Sequence, residues 1–160
     1  MKPNDHTVAN TYTNLYIQII FAVKGRENLI IEKYREEVEK YICGIISNKD
    51  SKPLAIYCNP DHVHVLIGIH PAISISNMAK EIKSNSSKWI NQKGWLRGKF
   101  SWQNGFGAFS YSKSHLDSVA KYILRQPEHH KRTTFKEEYL DILRKRDVAY
   151  DEQYLFEWYD

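Results

Sequence analysis

The chain has 160 residues, 42% of them hydrophobic, and a formal net charge of +4; this length suits one domain with a proper core. No run of about 18 apolar residues occurs, which excludes a membrane-spanning helix. Cys43 and Cys58 lack CxxC spacing, which argues against a disulfide framework or a zinc knuckle. The polar N-terminal stretch lacks the apolar segment of a secretory leader, so a cytoplasmic protein is expected.

In chain order, YTNLYIQIIFAVK (12–24) is rich in β-branched and aromatic residues and predicts a first strand. Residues 31–49 follow, with Tyr34, Val38, Tyr41, Ile42, Ile45 and Ile46 at helical spacing. PLAIYC (53–58), the turn Asn59–Asp61 and HVHVLIGIH (62–70) predict an antiparallel hairpin. Pro71 ends that strand. Ser74 or Ser76 can cap a helix over 76–92 whose apolar stripe is Met78, Ile82 and Trp89. A glycine-punctuated aromatic segment (94–112) closes on a strand, AFSYS. Ser114 is expected to cap a helix over 115–126 that Pro127 stops. A last helix over 135–147 precedes an acidic, aromatic tail (151–160). This order predicts a single α+β domain: a mainly antiparallel sheet of about four to five strands with helices packed on one face, a ferredoxin/RRM-like palm. Its catalytic core would span about 12–150.

Two histidines stand two positions apart in the third strand. Side chains at i and i+2 share a face, so His62 and His64 point the same way, about 6.6 Å apart along the strand. Val63, Val65 and Ile67 line the opposite face. The pair reads either as polar residues on a solvated face or as imidazoles converging on one metal ion. The helix over 115–126 adds Tyr122 and Gln126 at i, i+4, one turn apart on one face. A tyrosine has a pKa of about 10 and is a poor nucleophile near neutrality. A neighbouring cation, with Gln126 supplying an amide oxygen ligand, would stabilise the phenolate and polarise a phosphate oxygen. Two imidazoles and an amide oxygen suit Mn²⁺ or Co²⁺ better than Mg²⁺. Taken alone, Tyr122 also fits an ordinary packed ring.

Charge is uneven. Residues 74–132 hold eleven Lys/Arg against three Asp/Glu, a net +8, while the remainder carries −4. Such asymmetry points to a polyanion partner. Lys80, Lys83, Ser84, Ser87 and Lys88 form one stripe of the second predicted helix, suited to phosphates. Trp102 reads either as a base-stacking platform or as a core tryptophan, and Lys121 and Arg125 flank Tyr122. His129, His130, Lys131 and Arg132 read as backbone contacts rather than metal ligands, because the break at Pro127 is expected to turn them away.

His-hydrophobe-His on a strand, followed some sixty residues later by Tyr-x-x-x-Gln on a helix, resembles the HUH single-strand tyrosine transposases. These are the small enzymes of IS200-type insertion sequences and their relatives associated with repetitive palindromes. The similarity runs from about Tyr12 to Tyr150 and includes EIKSNSSKWI, FSWQNGFGAFSYS and YILRQPEHHKRTTFKEEY. The resemblance implies that His62, His64 and Gln126 hold a divalent metal, Mg²⁺ or Mn²⁺, and that Tyr122 is the nucleophile. Tyr122 would cleave single-stranded DNA at hairpin-flanked ends through a 5′-phosphotyrosine link, and a 3′-hydroxyl would then reverse the reaction to join new ends. It also implies a homodimer, whose active sites could be completed in trans. Two alternatives stay open: a nickase of the replication-initiator kind, and a non-catalytic single-strand-binding module. The second would have no need to bring these four residues together.

Overall fold

The computed structural model describes residues 10–159. Its frame is a four-stranded antiparallel sheet of β1 (Tyr16–Ala22), β2 (Lys52–Cys58), β3 (His62–Gly68) and β4 (Gly107–Tyr111), in the order β2-β3-β1-β4. The expected 53–58/62–70 hairpin is β2–β3, and β1 lies between β3 and β4. Pro53 is accommodated because β2 is an edge strand, where a missing N–H costs no ladder bond. The register slips by one residue between Pro53 and Ala55.

Helices cover both faces of the sheet, and this corrects the expectation of one. On the first face, Ile17, Ile19 and Phe21 of β1 join Val63, Val65 and Ile67 of β3. Against them pack α1 (Arg35–Asn48), through Val38, Ile42 and Ile46, and α2 (Ile75–Lys93), through Met78 and Ile82. The second face carries Ile20, Ala22 and Leu66. It is covered by α3 (Leu116–Leu124) through Val119 and Ile123, and by α5 (Phe135–Lys145) through Phe135, Tyr139 and Leu143. The reason lies in the composition of β1 and β3. Apart from Gln18 and the two histidines, both pleat faces are apolar, and each must be buried.

The helix ends show how α5 and the turn before it are aimed. Ser74 caps α2 by accepting from the Asn77 N–H at 3.1 Å, and Gly94 ends it in the left-handed conformation. Ser114 does not cap α3; a 3-10 turn, Lys113–His115, leads into it with Ser112 at the head. The α3 helix ends at Leu124. Pro127 sits in the first turn of a new one-turn helix, α4 (Gln126–His129), where a missing N–H is harmless. The chain is therefore redirected at Arg125 and restarted. A capping box of Thr134 and Glu137 then starts α5.

The tail folds back. Gln103 accepts from the Glu157 N–H at 2.7 Å and donates to the Glu157 carbonyl at 3.0 Å, while Phe156 and Trp158 pack around Phe135. No helix among the described residues is long and apolar enough to cross a membrane.

Candidate metal and nucleophile site

β3 presents His62 and His64 to the α3/α5 side of the sheet, opposite Ala22 and Ile20 of β1. Neither lies on a solvated face: they are 1% and 0% exposed. Each outer ring nitrogen is held. His62 Nδ1 lies 2.7 Å from Asp61 Oδ1, and a carboxylate can only accept, so Nδ1 carries the hydrogen. His64 Nδ1 lies 2.9 Å from the Gln18 amide, whose oxygen accepts from Tyr111 Oη at 3.0 Å. Phe135 stacks on the His62 ring at 3.7 Å between centroids. Both Nε2 atoms face inward, His62 Nε2 lying 3.1 Å from Asn59 Nδ2. His62, which donates from Nδ1, has the arrangement of metal-ligating imidazoles, whereas the Gln18 amide N–H donates to His64 Nδ1 and leaves the hydrogen of that neutral ring on Nε2.

What they face is Glu138, a carboxylate on α5 that is 6% exposed. Its Oε1 lies 3.0 Å from His64 Nε2, 3.2 Å from His130 Nε2 and 3.3 Å from His62 Nε2. Its Oε2 accepts from Gln126 Nε2 at 2.9 Å and, in a short contact, from the Tyr122 hydroxyl. Gln126 Oε1 accepts from Asn59 Nδ2 at 2.9 Å and lies 3.0 Å from His130 Nε2. One carboxylate thus ties both strand histidines, His130, Gln126 and Tyr122 into a single buried network. The ligand atoms of His62, His64 and Glu138 lie within 4.8 Å of one another, close enough to share a metal ion.

Electrostatics follow from this packing. Burial works against the Glu138 charge, but its close contacts with the ring nitrogens of His64, His130 and His62 outweigh it and hold the carboxyl well below its usual range; burial in turn holds the His64 imidazole below its ordinary value, so that ring is neutral near pH 7. Burial, then the adjacent Glu138 charge, pushes the Tyr122 phenol well above its ordinary value. Tyr122 is therefore protonated near neutrality and held in place, with its ring 4.5 Å from that of His129. A cleft of about 660 Å³ opens from solvent to Tyr122 and Glu138, between Tyr111 and Ser118 on one side and Asp141 and Arg144 on the other.

His62, His64, Tyr122 and Gln126 thus meet within one chain. The α2 stripe does not join them, because α2 packs on the opposite face of the sheet. Lys83 there donates to the carbonyls of Gln103 and Gly105, and Ser84 and Ser87 donate to carbonyls of their own helix; Lys80 and Lys88 are exposed. The stacking role expected of Trp102 is corrected. Its ring is buried edge-on to Phe21 and Phe100, and its Nε1 donates to Ser86 Oγ at 2.9 Å. Lys121 and Arg125 stand exposed beside Tyr122. His130 is the clearest reversal: the break at Pro127 turns it into the site, with Nδ1 on the Thr133 carbonyl at 2.7 Å. Sequence reasoning misses Glu138 altogether, although a signal exists. It lies between Phe135 and Tyr139 on the apolar face of an amphipathic helix, where an unpaired carboxylate is rarely found.

The family model for IS200-like transposases matches residues 11–126. The chain belongs to that family. Curated IS200 transposases of Salmonella typhimurium strain LT2 and Salmonella typhi are each 27% identical to it over 109 residues, covering 61% of this chain and 72% of those proteins. Among solved structures, a candidate transposase from Deinococcus radiodurans R1 superposes with a TM-score of 0.55 at 21% identity, over 74% of this chain and 95% of that one. A REP-associated tyrosine transposase bound to a REP hairpin superposes with a TM-score of 0.57 at 15% identity, over 76% of this chain and 72% of that one. These two likenesses establish the fold. As an IS200-like transposase, the chain has a match that stops at Gln126, so His130 and Glu138 lie beyond the matched stretch.

Proposed function

We propose that this transposase cleaves and rejoins single-stranded DNA at hairpin-flanked ends through a 5′-phosphotyrosine formed on Tyr122, acting in the cytoplasm. The observation that carries this reading is the Tyr122 hydroxyl standing on the same buried carboxylate as His62 and His64. A binding module gains nothing from burying such a network, whose polar groups are costly unless all are satisfied. The resemblance to a hairpin-bound relative supports the substrate class.

The donor set fits a divalent cation. His62 offers an inward Nε2 while its Nδ1 donates to Asp61, His64 would do the same with the Gln18 amide turned so that its oxygen accepts from Nδ1 and its nitrogen donates to Tyr111 Oη, and Gln126 and Glu138 add oxygens. Bound there, Mg²⁺ or Mn²⁺ would offset charge on the phosphate oxygens and the phenolate. The protein's own residues do the remainder. Asp61 and Gln18 fix the imidazoles, Glu138 holds the nucleophile beside them, and Lys121 and Arg125 draw the phosphate backbone toward the mouth of the cleft. Because Tyr122 meets Glu138 of its own chain, the arrangement supports use of the nucleophile in cis. A homodimer, expected from the family, is a question of assembly that light scattering answers.

The test is a denaturant-resistant adduct between the protein and labelled single-stranded hairpin DNA from its genomic flanks, in Mn²⁺. The adduct is expected with wild type and lost with Tyr122→Phe or chelator. An adduct that persists in Tyr122→Phe removes the tyrosine from the mechanism.

A further inference from the structure

We propose that His129 takes the proton from the Tyr122 hydroxyl when the phosphotyrosine forms and returns it when the strand is rejoined. The inference rests on reading Tyr122 as the nucleophile of a single-strand transposase.

The turn after α3 puts the imidazole on the nucleophile. Tyr122 and His129 are seven residues apart, a rise of about 10.5 Å had the helix continued. The break at Arg125 and the restart as α4 instead bring the two rings to 4.5 Å between centroids, tilted by 39°. The backbone of the turn is tied at both ends. His129 N–H donates to the Arg125 carbonyl at 3.2 Å, and the His129 carbonyl accepts from the N–H groups of Arg132 and Thr133 at 3.1 and 3.0 Å.

Its ring nitrogens are unengaged, unlike those of the neighbouring histidines. His62, His64 and His130 each commit both ring nitrogens to the buried network. The His129 ring makes no hydrogen bond or ion pair with any described residue; its contact is the Tyr122 ring. It is half-buried and lines the same solvent-open cleft as Tyr122 and Glu138. An imidazole so placed can exchange a proton with the phenol directly or through one water.

The reaction needs such a group. Glu138 accepts the hydrogen bond of the Tyr122 hydroxyl, but its imidazole contacts hold it well below the usual carboxylate range, so it orients the phenol without keeping the proton. Burial and the Glu138 charge push the phenol up, so its hydrogen has to leave as the oxygen attacks rather than beforehand. Neutral His129 accepts that hydrogen while the Oη–P bond forms and the P–O3′ bond breaks, and the leaving 3′-oxygen takes a proton from water. Rejoining runs in reverse: a 3′-hydroxyl gives its proton to the hydroxide left behind and attacks phosphorus, and the departing phenolate recovers its proton from the His129 imidazolium. The charged or titratable groups around the ring are Tyr122 and Arg125 from α3, Glu137 and Glu138 from α5, and Glu128 and His130 on its own turn.

The experiment is single-turnover formation of the protein–DNA adduct by the full chain, with labelled hairpin DNA and Mn²⁺, across the pH range in which imidazole titrates. Wild type, His129→Gln, His129→Ala and the α1 surface control Lys40→Ala are compared, with Kd for the same DNA and for Mn²⁺ alone measured in parallel. His129→Gln should slow adduct formation by about 10²–10⁴-fold, the usual weight of a positioned proton acceptor, and flatten the acid limb of the rate profile, with both Kd values unchanged. Imidazole added to the buffer should restore His129→Ala, and Lys40→Ala should match wild type. A substrate with a 3′-bridging sulfur, whose leaving group needs no proton, should keep the His129→Gln defect. A wild-type rate in His129→Gln, a parallel loss of DNA or Mn²⁺ affinity, or failure of imidazole to rescue overturns the proposal and leaves His129 as a packing residue. Relief by the sulfur substrate overturns it by moving His129 to the leaving oxygen. The nucleophile reading fails separately: wild type that binds the hairpin and forms no adduct retires that reading and this proposal with it, whereas an adduct formed equally fast by His129→Gln retires His129 alone.

Discussion

The two faces of one sheet are built on opposite plans. Toward α1 and α2 the sheet buries one continuous apolar cluster, sealed by ring pairs such as Tyr41 on Trp89, with centroids 4.3 Å apart. Toward α3 and α5 the apolar contacts divide into two smaller clusters, and the His62–His64–Glu138 network lies on the same face. The first face is stabilised by area removed from water, which is additive and tolerant of small changes. The second depends on every member of a polar network being satisfied, and loss of one strands the others in a low-dielectric site. Stability and chemistry are thus housed back to back on the same two central strands.

The largest expected effect falls on the polar face. Tyr122→Phe should abolish the DNA adduct while changing unfolding free energy by about 1 kcal/mol or less, since Glu138 Oε2 keeps its bond from Gln126; a melt and a denaturing gel together check this. Phe21→Ala makes the opposite cut. It empties a fully buried ring position on the α1/α2 side, costing about 3–5 kcal/mol, which lowers the melting temperature by roughly 10 °C. Mn²⁺ affinity measured well below that melt should stay near wild type, and a parallel loss of both would show that the faces are coupled.

Gly107→Ala probes how α5 docks on the second face. A Cβ there would lie 2.5 Å from Tyr139 Oη and 2.9 Å from Tyr139 Cε1, and Tyr139 adjoins Glu138 on α5. The added methyl should cost about 1–3 kcal/mol by overpacking and weaken Mn²⁺ binding by shifting α5, both readable in one titration series. The smallest effects separate two candidate DNA paths. Lys121→Ala or Arg125→Ala should lower the salt dependence of single-strand binding by about 0.7 in log–log slope for each phosphate no longer neutralised. Lys80→Ala and Lys88→Ala, on the far face, should leave that slope unchanged. A reversed result would return the DNA to α2.

Much of this contrast is legible locally. The strand alternation of β3, the helical spacing of α1 and α2 and the turn at Asn59–Asp61 are written in neighbouring residues, where period and turn chemistry act directly. Covering of the second face is legible too, in the lack of polar alternation along Ile19–Ala22, a signal that the one-sided expectation overlooks. His130 misleads for a physical reason. Proline in a first helical turn restarts a helix as readily as it ends one, and the two outcomes send the following residues in different directions.

By itself the sequence determined the α+β order, the shared face of His62 and His64 and the spacing of Tyr122 and Gln126, because each depends on residues within a turn or two of one another. Only the tertiary structure decided that α2 lies away from the site, that Trp102 is core, and that Glu138 stands at the centre. Glu138 is 74 residues from His64 along the chain. Its carboxylate reaches the imidazoles because Phe135, Tyr139 and Leu143 dock α5 on the sheet; helical periodicity marks Glu138 as inward-facing, but which strand residues it meets is set by long-range burial.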